Sequence, residues 1–371
     1  MKILVLNWQD IRNPQGGGAE VHLHEIFKRI AARGHSVTLF CSRFPGAPAE
    51  EVIDGIRVIR EGGRNLFNYR VYPKYLRQFR HERYDVVVDD VNKIPFFTPL
   101  FVKEPLAGIL HHLFGKSIFS ETFFLPALYV LGAEKLALRV YRKTPMAVVS
   151  ESTRQELLGS GFDDGLLSLV PNCVDQALYT PAGQPPQPNL IGYLGRLKKY
   201  KSVEDLLSAV AVVLKETPDV RLVILGDGDA RPSLERVADD LRITSHVDFL
   251  GYVPPAEKIR RLHSMSVVVN TSAKEGWGLT VIEANACGVP VIASDVPGLR
   301  DSVIHEKTGL LYEYGNIEEL AEKILLILRD NNLRSRLSNE AVLWARQFNW
   351  ERSADSMIGF LEGVIRNRRG E

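Results

Sequence analysis

Two glutamates, eight residues apart, lie in the segment of this chain that is best suited to chemistry. Glu275 is followed by a Gly-Trp-Gly turn at 276–278, and Glu283 lies within an apolar, helix-forming stretch. A strand, a glycine-bearing turn and a helix in this order direct backbone N–H groups at a phosphate. The flanking carboxylates could accept hydrogen bonds from hydroxyl groups, one from a ribose and the other from a sugar. Taken alone, however, such a pair is more often two solvated surface glutamates.

Arg196 and Lys201 are the cations best suited to accompany a phosphate. Arg196 follows the end of a predicted strand, and Lys201 immediately precedes a helix that Ser202 is predicted to cap. Two fixed cations beside a helix N-terminus suit a diphosphate, which gains charge as its bond to a sugar breaks. The alternative is that both are ordinary surface residues.

Three consecutive glycines, Gly16, Gly17 and Gly18, form a loop-to-helix junction that allows a ligand close to the backbone. The pattern is not GxGxxG, and no acidic residue ends the second strand to hold a ribose. A dinucleotide site is therefore disfavoured. A substrate-binding loop and a flexible turn without a ligand both remain open.

His111 is the candidate for chemistry in the first half of the chain. It follows the apolar strand predicted at 106–110, and the side chain of His112 would point to the opposite face. A lone histidine at a strand end is more often a structural residue. Its position at the carboxyl end of a strand, just before Gly115, favours a functional role.

The bulk composition limits the class of protein. A chain of 371 residues predicts two domains, and a net charge of +1 (46 − 45) gives no general attraction for nucleic acid. Its three cysteines, Cys41, Cys173 and Cys287, are widely spaced and suit a reducing compartment. The N-terminus is not typical of a signal peptide, and no apolar run is long enough to span a bilayer. We therefore expect a cytoplasmic protein.

Strands alternate with helices along the whole chain, which predicts two doubly wound α/β domains. A proline-bearing segment at 171–188 is the best linker. The predicted domains are an acceptor-binding domain at 1–180, a donor-binding domain at 186–350 and a terminal helix at 351–371 that returns to the first domain. Ligands of such sheets bind at the carboxyl ends of the strands, here in the expected cleft between the domains.

In their order along the chain, these motifs resemble glycosyltransferase family 4, the retaining, nucleotide-sugar-dependent enzymes of GT-B fold. The resemblance extends over essentially the whole chain, and its most specific block is 275–294. Other matching segments are Gly16-Gly17-Gly18-Ala19-Glu20, the His111 strand end, Val149-Ser150-Glu151-Ser152, Val170-Pro171-Asn172, Gly195-Arg196-Leu197, Leu225-Gly226-Asp227-Gly228 and Val247-Asp248-Phe249-Leu250-Gly251.

The resemblance implies a role for each candidate. His111 would contact the transferred sugar near its anomeric centre, and Glu275 would bind the hydroxyls of the donor sugar. Arg196 and Lys201 would neutralise the diphosphate, and Glu283 would hold the ribose. The catalytic candidates are His111, Glu275, Arg196 and Lys201. The remaining substrate-binding candidates are Gly16, Gly17, Gly18, Gly226, Gly276, Trp277, Gly278, Leu279 and Thr280.

No metal and no cofactor are expected, and the donor would be a UDP- or GDP-sugar. The Asp227-Gly228-Asp229 sequence superficially resembles a metal-binding DxD motif but is better interpreted as a tight turn after a strand. Asp89-Asp90 is interpreted as a similar decoy. It lies at a strand end where members of the family often carry histidine.

The acceptor is the least defined partner. The segment Arg64–Arg83 holds six Lys or Arg against one Glu (6 − 1 = +5), which suggests peripheral contact with an anionic membrane, at its inner face, or simply a solvated helix. An aromatic-rich stretch, 114–125, could line a groove for a lipid or aromatic acceptor or pack as core. The acceptor could be a lipid, a saccharide or a small molecule.

Two other classes of function fit the same architecture. One is a nucleotide-sugar epimerase or a phosphorylase, which would use the same diphosphate-binding residues. The other is a protein that binds a nucleotide sugar without turning it over. The arrangement of Glu275 and Glu283 favours a transferase over both.

Overall fold

The computed structural model describes residues 1–63, 66–92, 94–120 and 123–370. Its internal contacts divide the chain into two compact units: the first contains Met1–Cys173 and Trp350–Glu371, and the second contains Val174–Asn349. The division therefore falls within the proline-bearing segment, earlier than residue 180, and Trp350 belongs with the terminal helix.

The first unit is built around a mainly parallel sheet. Its strands are β1 (Lys2–Leu6), β2 (Ser36–Cys41), β3 (Glu50–Ile53), β4 (Ile56–Arg60), β5 (Val86–Val91), β6 (Leu106–Leu110), β7 (Met146–Val148) and β8 (Leu167–Leu169). Its helices before the division are α1 (Gly18–Ala32), α2 (Asn68–Arg77), α3 (Phe124–Val140) and α4 (Glu151–Gly159).

The second unit repeats the alternation. Its strands are β9 (Leu190–Leu194), β10 (Arg221–Leu225), β11 (Val247–Gly251), β12 (Val267–Asn270), β13 (Val291–Ser294) and β14 (Gly309–Tyr312). Its helices are α5 (Val203–Val213), α6 (Arg231–Asp240), α7 (Pro255–Ser264), α8 (Leu279–Ala286), α9 (Leu299–Ser302), α10 (Ile317–Arg329) and α11 (Asn331–Ala345), and α12 (Trp350–Arg369) then completes the first unit.

The order of the strands decides which loops lie side by side. In the first sheet the order is β3-β4-β2-β1-β5-β6-β7-β8, and in the second it is β11-β10-β9-β12-β13-β14. The order in which the chain adds strands reverses at one point in each sheet, between β1 and β5 in the first sheet and between β9 and β12 in the second. Ligands of doubly wound sheets bind at these switch points. The prediction of two doubly wound α/β domains is confirmed.

The strand predicted at 106–110 is β6, with the same bounds. Asp54-Gly55 forms the hairpin turn between β3 and β4, which are antiparallel. The side chain of Asn316 accepts the N–H of Glu319 at 3.0 Å and so caps the start of α10.

The prediction that Ser202 caps α5 through its side chain is wrong. Ser202 adopts a left-handed backbone with φ 47°, and its hydroxyl lies 2.8 Å from the hydroxyl of Tyr314. The side chain is therefore directed to the neighbouring β14–α10 connection and not to the first N–H groups of its own helix.

Within the described ranges, no helix combines the length and the apolar content needed to cross a bilayer.

Candidate active site

The loops after β9 and β12 are joined at the switch point of the second sheet. The N–H of Ala273 donates to the carbonyl of Tyr200 at 2.8 Å. The hydroxyl of Thr271 donates to the carbonyl of Lys201 at 2.8 Å. These bonds fix the turn that carries Lys201 against the loop that carries Glu275, although the two residues are far apart in sequence.

Lys201 and Glu275 form a direct ion pair. Their side chains are only 12% and 16% exposed, and the hydroxyl of Ser272 donates to the same Glu275 oxygen at 2.9 Å. Burial favours a neutral lysine, but the adjacent Glu275 carboxylate outweighs it and raises the pKa of Lys201 above its ordinary value. Lys201 is therefore charged near neutral pH, and its ammonium group retains further N–H donors for a ligand.

Arg196 presents the second cation of this site to solvent. Its side chain is exposed, and its guanidinium makes no hydrogen bond or ion pair with any residue that the structure describes. The backbone beneath it is fixed, since the N–H of Gly195 donates to Leu225 and the N–H of Leu197 donates to Asp227, at 3.0 and 2.9 Å. Arg196 is thus a free, fork-shaped donor on a fixed base, which suits a phosphate.

Gly226 has a packing reason to be glycine. Its φ is +137°, and a β-carbon at this position would lie 1.9 Å from the carbonyl oxygen of Gly195. The turns after β9 and β10 therefore pack backbone against backbone. A contact between Gly226 and a ligand stays a prediction.

The Gly276–Thr280 turn begins α8 as the sequence indicates. Gly278 precedes the helix with φ 89°, and its β-carbon would lie 2.9 Å from a methyl carbon of Leu299. Leu279 and Thr280 form the first turn, where the N–H groups of a helix have no partner within it. This turn is the element of the site that could bind a phosphate through its backbone.

Trp277 is a core residue of the second unit. It is 6% exposed, and its ring contacts that of Phe348 edge-on at a centroid distance of 4.9 Å. Its side chain therefore anchors the turn before α8, and any ligand contact at this residue is expected from its backbone.

Gly298 is a residue of this site that the sequence analysis missed. Its φ is +84°, and a β-carbon would lie 2.3 Å from the carbonyl oxygen of Glu275. A glycine is therefore needed for the Glu275 loop to pack where it does. The Pro297-Gly298 dipeptide is a turn signal that could have indicated it.

Glu283 lies on α8 and is 7% exposed. Its Oε1 accepts hydrogen bonds from the hydroxyl of Tyr179 at 2.8 Å and from the ammonium of Lys258 at 2.6 Å. Its Oε2 is buried and has no partner among the described residues. One oxygen is thus held by the protein while the other can accept a hydroxyl. Tyr179 and Lys258 carried no motif signal.

The glycine loop of the first unit connects β1 to α1. Gly17 precedes the helix, and its N–H donates to the buried carboxylate of Glu20 at 2.6 Å. A β-carbon on Gly16 would lie 3.1 Å from the carbonyl oxygen of Asn13, whereas one on Gly18 would meet nothing within 4 Å. Gly16 therefore has a packing reason to be glycine, the backbone of Gly17 bonds to the first turn of α1, and the open space beside Gly18 is where a ligand could approach.

His111 belongs to a buried polar cluster at the switch point of the first sheet. Its Nε2 lies 3.3 Å from the Asp90 carboxylate at the end of β5. Its ring meets that of His22 edge-on at 5.1 Å, and His22 in turn bonds to the carbonyl of Val170 at 3.0 Å. Asp90, interpreted from sequence as a decoy, is the direct partner of the candidate histidine.

The charges of this cluster follow from its burial. Burial disfavours the charged form of His111, but the Asp90 carboxylate outweighs it and raises the pKa of His111 above its ordinary value. Burial and the neighbouring His111 lower the pKa of His22 to about 3. Burial also raises the pKa of Glu20, which faces the same cluster. His111 is therefore the histidine of this cluster that can carry a proton.

Replacing Asp90 by Asn is expected to lower the pKa of His111, because the amide no longer stabilises the imidazolium while burial still opposes it. The stabilisation from the charged pair is fully present below the unfolded pKa, about 6.5, and is lost as pH rises through the higher folded pKa. The variant should therefore lose more stability at low pH than at high pH. NMR titration of the histidine ring protons and urea unfolding at both pH values test this.

His35 serves as an internal control, since its ring nitrogen lies 2.8 Å from the N-terminal amino group, before the start of β1 and β2 and away from the carboxyl ends of the strands. Its titration should be the same in both proteins. An unchanged His111 titration in the variant would contradict the role of Asp90.

The candidates fall into two groups by unit. Gly16, Gly17, Gly18 and His111 belong to the first unit. Arg196, Lys201, Gly226, the 276–280 turn, Glu275 and Glu283 belong to the second. Each group lies at the switch point of its own sheet. No group of three or more His, Cys, Asp or Glu in the described part of the chain is arranged to hold a metal ion.

The basic segment predicted at Arg64–Arg83 divides into different environments. Arg64 lies outside the described residues. On α2, Tyr75 is fully buried with Phe79, while Arg70 and Arg77 are exposed. Tyr75 and Phe79 are therefore part of the core of the first unit, whereas Tyr69 and Tyr72 are exposed on α2.

The fold and the loops at its switch points define the class of the protein. The chain aligns with sucrose-phosphate synthase from Thermosynechococcus elongatus at a TM-score of 0.80, with 22% identity over 98% of this chain and 99% of the other. It aligns with Anabaena HepE, solved with UDP-glucose, at a TM-score of 0.77, with 20% identity over 98% and 100%. The chain has the two-domain α/β fold of the GT-B glycosyltransferases.

Two family models match consecutive parts of the sequence. "Glycosyltransferase Family 4" matches residues 16–178, and "Glycosyl transferases group 1" matches residues 179–344. The chain belongs to glycosyltransferase family 4, and the resemblance seen in its motifs is confirmed.

Curated relatives include two proteins named D-inositol 3-phosphate glycosyltransferase. The one from Corynebacterium urealyticum is 33% identical over 47% of this chain and 43% of its own length. The one from Corynebacterium glutamicum is 30% identical over 60% and 58%. The match thus spans about half the length of these relatives.

Proposed function

We propose that this protein transfers a sugar from a UDP- or GDP-linked donor to a hydroxyl acceptor, with retention of the anomeric configuration and without a metal ion. The observation that carries the proposal is the cationic site at the switch point of the second sheet. There, Arg196 and Lys201 lie on the loop that follows β9, and Glu275, which pairs with Lys201, lies on the loop that leads to the first turn of α8. The UDP-glucose complex of HepE supports a nucleotide-sugar donor for this fold.

The proposed reaction breaks the bond between the anomeric carbon of the donor and the diphosphate oxygen. The diphosphate leaves with the bonding electrons, and the acceptor hydroxyl forms the new bond and gives up its proton to the departing diphosphate oxygen. Arg196, Lys201 and the N–H groups at the start of α8 stabilise the charge that develops on the leaving oxygen. Two protein cations thus supply the positive charge that a metal ion would otherwise provide.

In this proposal Glu275 and Glu283 have different partners. Glu275 is already bonded to Lys201 and Ser272, which supports its binding of sugar hydroxyls rather than attack on the anomeric carbon. The buried, unpartnered Oε2 of Glu283 supports its binding of the ribose. Without a carboxylate nucleophile, the acceptor attacks from the face that the diphosphate leaves, which retains the configuration.

His111 is the proposed sugar contact of the first unit. Its raised pKa means that it can donate a hydrogen bond as an imidazolium. The names of the curated relatives support inositol 3-phosphate as one acceptor to test, beside saccharide and lipid acceptors.

The proposed location is the cytoplasm, at the inner face of the membrane. Cys41, Cys173 and Cys287 are buried free thiols, which suits a reducing compartment. The exposed arginines of α2 are the part of the basic segment that remains available for anionic lipid.

A thermal-shift screen with UDP, GDP and ADP tests the donor site. A nucleotide at a hundred times its Kd is expected to stabilise the protein by about 2.7 kcal/mol, because it binds the folded state alone. UDP or GDP should raise the Tm of the wild type and have a smaller effect on Arg196→Ala. A shift with none of the three nucleotides would contradict the proposed donor.

A product analysis distinguishes a transferase from the two other classes of function, an epimerase or phosphorylase and a non-catalytic binding protein. Formation of an isomerised nucleotide sugar without an acceptor would identify an epimerase, and a phosphate-dependent product would identify a phosphorylase. A nucleotide that binds but is never released from its sugar would identify a non-catalytic binding protein.

A further inference from the structure

Helix α3 of the first unit carries large apolar side chains on the protein surface. Phe123, Phe124 and Leu125 are 88%, 67% and 74% exposed, and Leu128 and Tyr129 follow at 51% and 58%. Single exposed apolar residues are ordinary, but a contiguous group of this kind marks a surface that contacts something.

These side chains are not needed for the core of the unit. The opposite face of α3 already supplies it, since Ala127 and Val130 are buried against Phe114 and Ile118. The aromatic-rich stretch 114–125 therefore divides: its first part packs as core, and its last three residues face outward. One face of the helix packs against the first unit, and a second, apolar face is exposed and can contact a partner.

The other end of the same helix is cationic. Lys135 and Arg139 are exposed on α3, and Arg142 and Lys143 follow it. Between residues 123 and 143 there are four Lys or Arg and one acidic residue (4 − 1 = +3). That residue, Glu134, accepts the N–H groups of Phe114 and Gly115 at 2.6 and 2.9 Å. Its carboxylate is directed at the protein backbone.

The apolar and basic residues share one side of the helix. Leu125, Leu128, Lys135 and Arg139 follow spacings of three, seven and four residues, which place them along one stripe. A helix of 17 residues is about 25 Å long. Such a helix can lie in the plane of a bilayer surface, with its apolar side chains below the headgroups and its cations among them.

We propose that the outward face of α3 docks this protein on an anionic lipid surface. The cations complement anionic headgroups, and the exposed aromatic and leucine side chains supply the apolar area that interfacial binding needs. A second copy of the chain would bring the same cations to the interface and little opposite charge. Helix α2 shares the positive charge, but it exposes only Tyr69 and Tyr72 as large apolar side chains, a smaller group than that of α3. The inference does not depend on sugar transfer.

Co-sedimentation of the full chain with vesicles tests the proposal, using phosphatidylcholine alone and phosphatidylcholine mixed with phosphatidylglycerol. The wild type should bind the mixed vesicles at low salt and bind neutral vesicles more weakly. Leu125→Ser/Leu128→Ser should lower the partition coefficient at least about tenfold on the mixed vesicles, because two leucines no longer enter the bilayer. Arg139→Gln/Lys143→Gln should lower it roughly fivefold per residue on mixed vesicles, with little change on neutral ones.

Two control variants make the test specific. Leu326→Ser/Leu343→Ser removes two leucines that are 47% and 53% exposed on helices of the second unit and should bind like the wild type. Arg70→Gln/Arg77→Gln removes the same charge from α2 and should bind more tightly than the α3 charge variant. Equal losses in the α2 and α3 charge variants would show that binding follows net charge alone, which would overturn the proposal.

Two further measurements keep the result interpretable. Circular dichroism and thermal unfolding should be nearly unchanged in the α3 variants, because the replaced side chains are exposed. If the leucine variant does not fold, Phe124→Trp retains the apolar face, and its added fluorescence should shift to the blue with mixed vesicles. The absence of binding and of a shift would overturn the proposal. A dimer in light scattering that the leucine variant abolishes, without vesicle binding, would instead assign the face to a second copy.

Discussion

Replacing Arg196 by alanine is expected to lower kcat by about two to three orders of magnitude with a nucleotide-sugar donor. Arg196 supplies charge-assisted donors to the leaving diphosphate at the point where negative charge develops. Its side chain is exposed and makes no bond with the described residues, so the substitution should leave the free energy of unfolding nearly unchanged. Steady-state kinetics and urea unfolding of the same preparation measure both quantities.

Lys199→Ala is the matched control for this prediction. Lys199 is an exposed cation three residues further along the same loop, so its removal changes the net charge equally. It should leave kcat within about twofold of the wild type, as expected for screened surface charge. Full kcat in Arg196→Ala, or equal losses in both variants, would contradict a specific role for Arg196.

Replacing Glu275 by glutamine is expected to remove most of the transfer activity and also to destabilise the protein. The variant leaves the Lys201 ammonium, 12% exposed, without its anionic partner. Breaking a buried ion pair by removal of one partner costs about 3 kcal/mol or more. Loss of a bond that orients the donor sugar should lower kcat about a hundredfold. Urea unfolding and transfer assays report the two effects separately.

The double variant Lys201→Met/Glu275→Gln distinguishes stability from catalysis. Removing both charges should restore much of the stability lost in Glu275→Gln, because no unpaired charge remains buried. Activity should stay low, since a cation and a carboxylate of the donor site are both missing. Recovery of activity together with stability would mean that the pair only supports the fold.

The strands and helices that carry the site residues could largely be predicted from sequence, whereas the contacts between those residues could not. The strands before Arg196 and Glu275 are apolar runs with clear ends, and Asn316 is an ordinary helix cap. The Lys201–Glu275 pair depends on β9 and β12 being neighbours in the sheet. Periodicity within either segment carries no information about that order.

The surroundings of other residues could not be predicted from their type. Trp277 lies in a ligand-binding motif, but its side chain packs in the core against Phe348. Because Phe348 is distant in sequence, the motif alone does not predict this contact. Asp90 was interpreted as part of a decoy for a metal-binding motif, although its carboxylate bonds to His111, which follows the next strand in the sheet.

The membrane hypothesis shows the same limit. The charge count predicted contact through 64–83, but Tyr75 and Phe79 on that segment are buried in the core. Apolar residues of α3 that could equally have been core are exposed. Burial depends on which helix face meets the sheet, and composition alone does not determine it.

The most direct test of the central claim is the release of nucleoside diphosphate from UDP- and GDP-hexoses by the purified protein. The reactions contain either no acceptor or a set of inositol phosphate, saccharide and lipid acceptors. We expect the wild type to release UDP or GDP, to do so faster with an acceptor, and to form a glycoside with the anomeric configuration of the donor by proton NMR. Arg196→Ala should release far less and Lys199→Ala the same amount. No release with any donor and acceptor would contradict the assignment as a sugar transferase, and an inverted anomer would contradict retention.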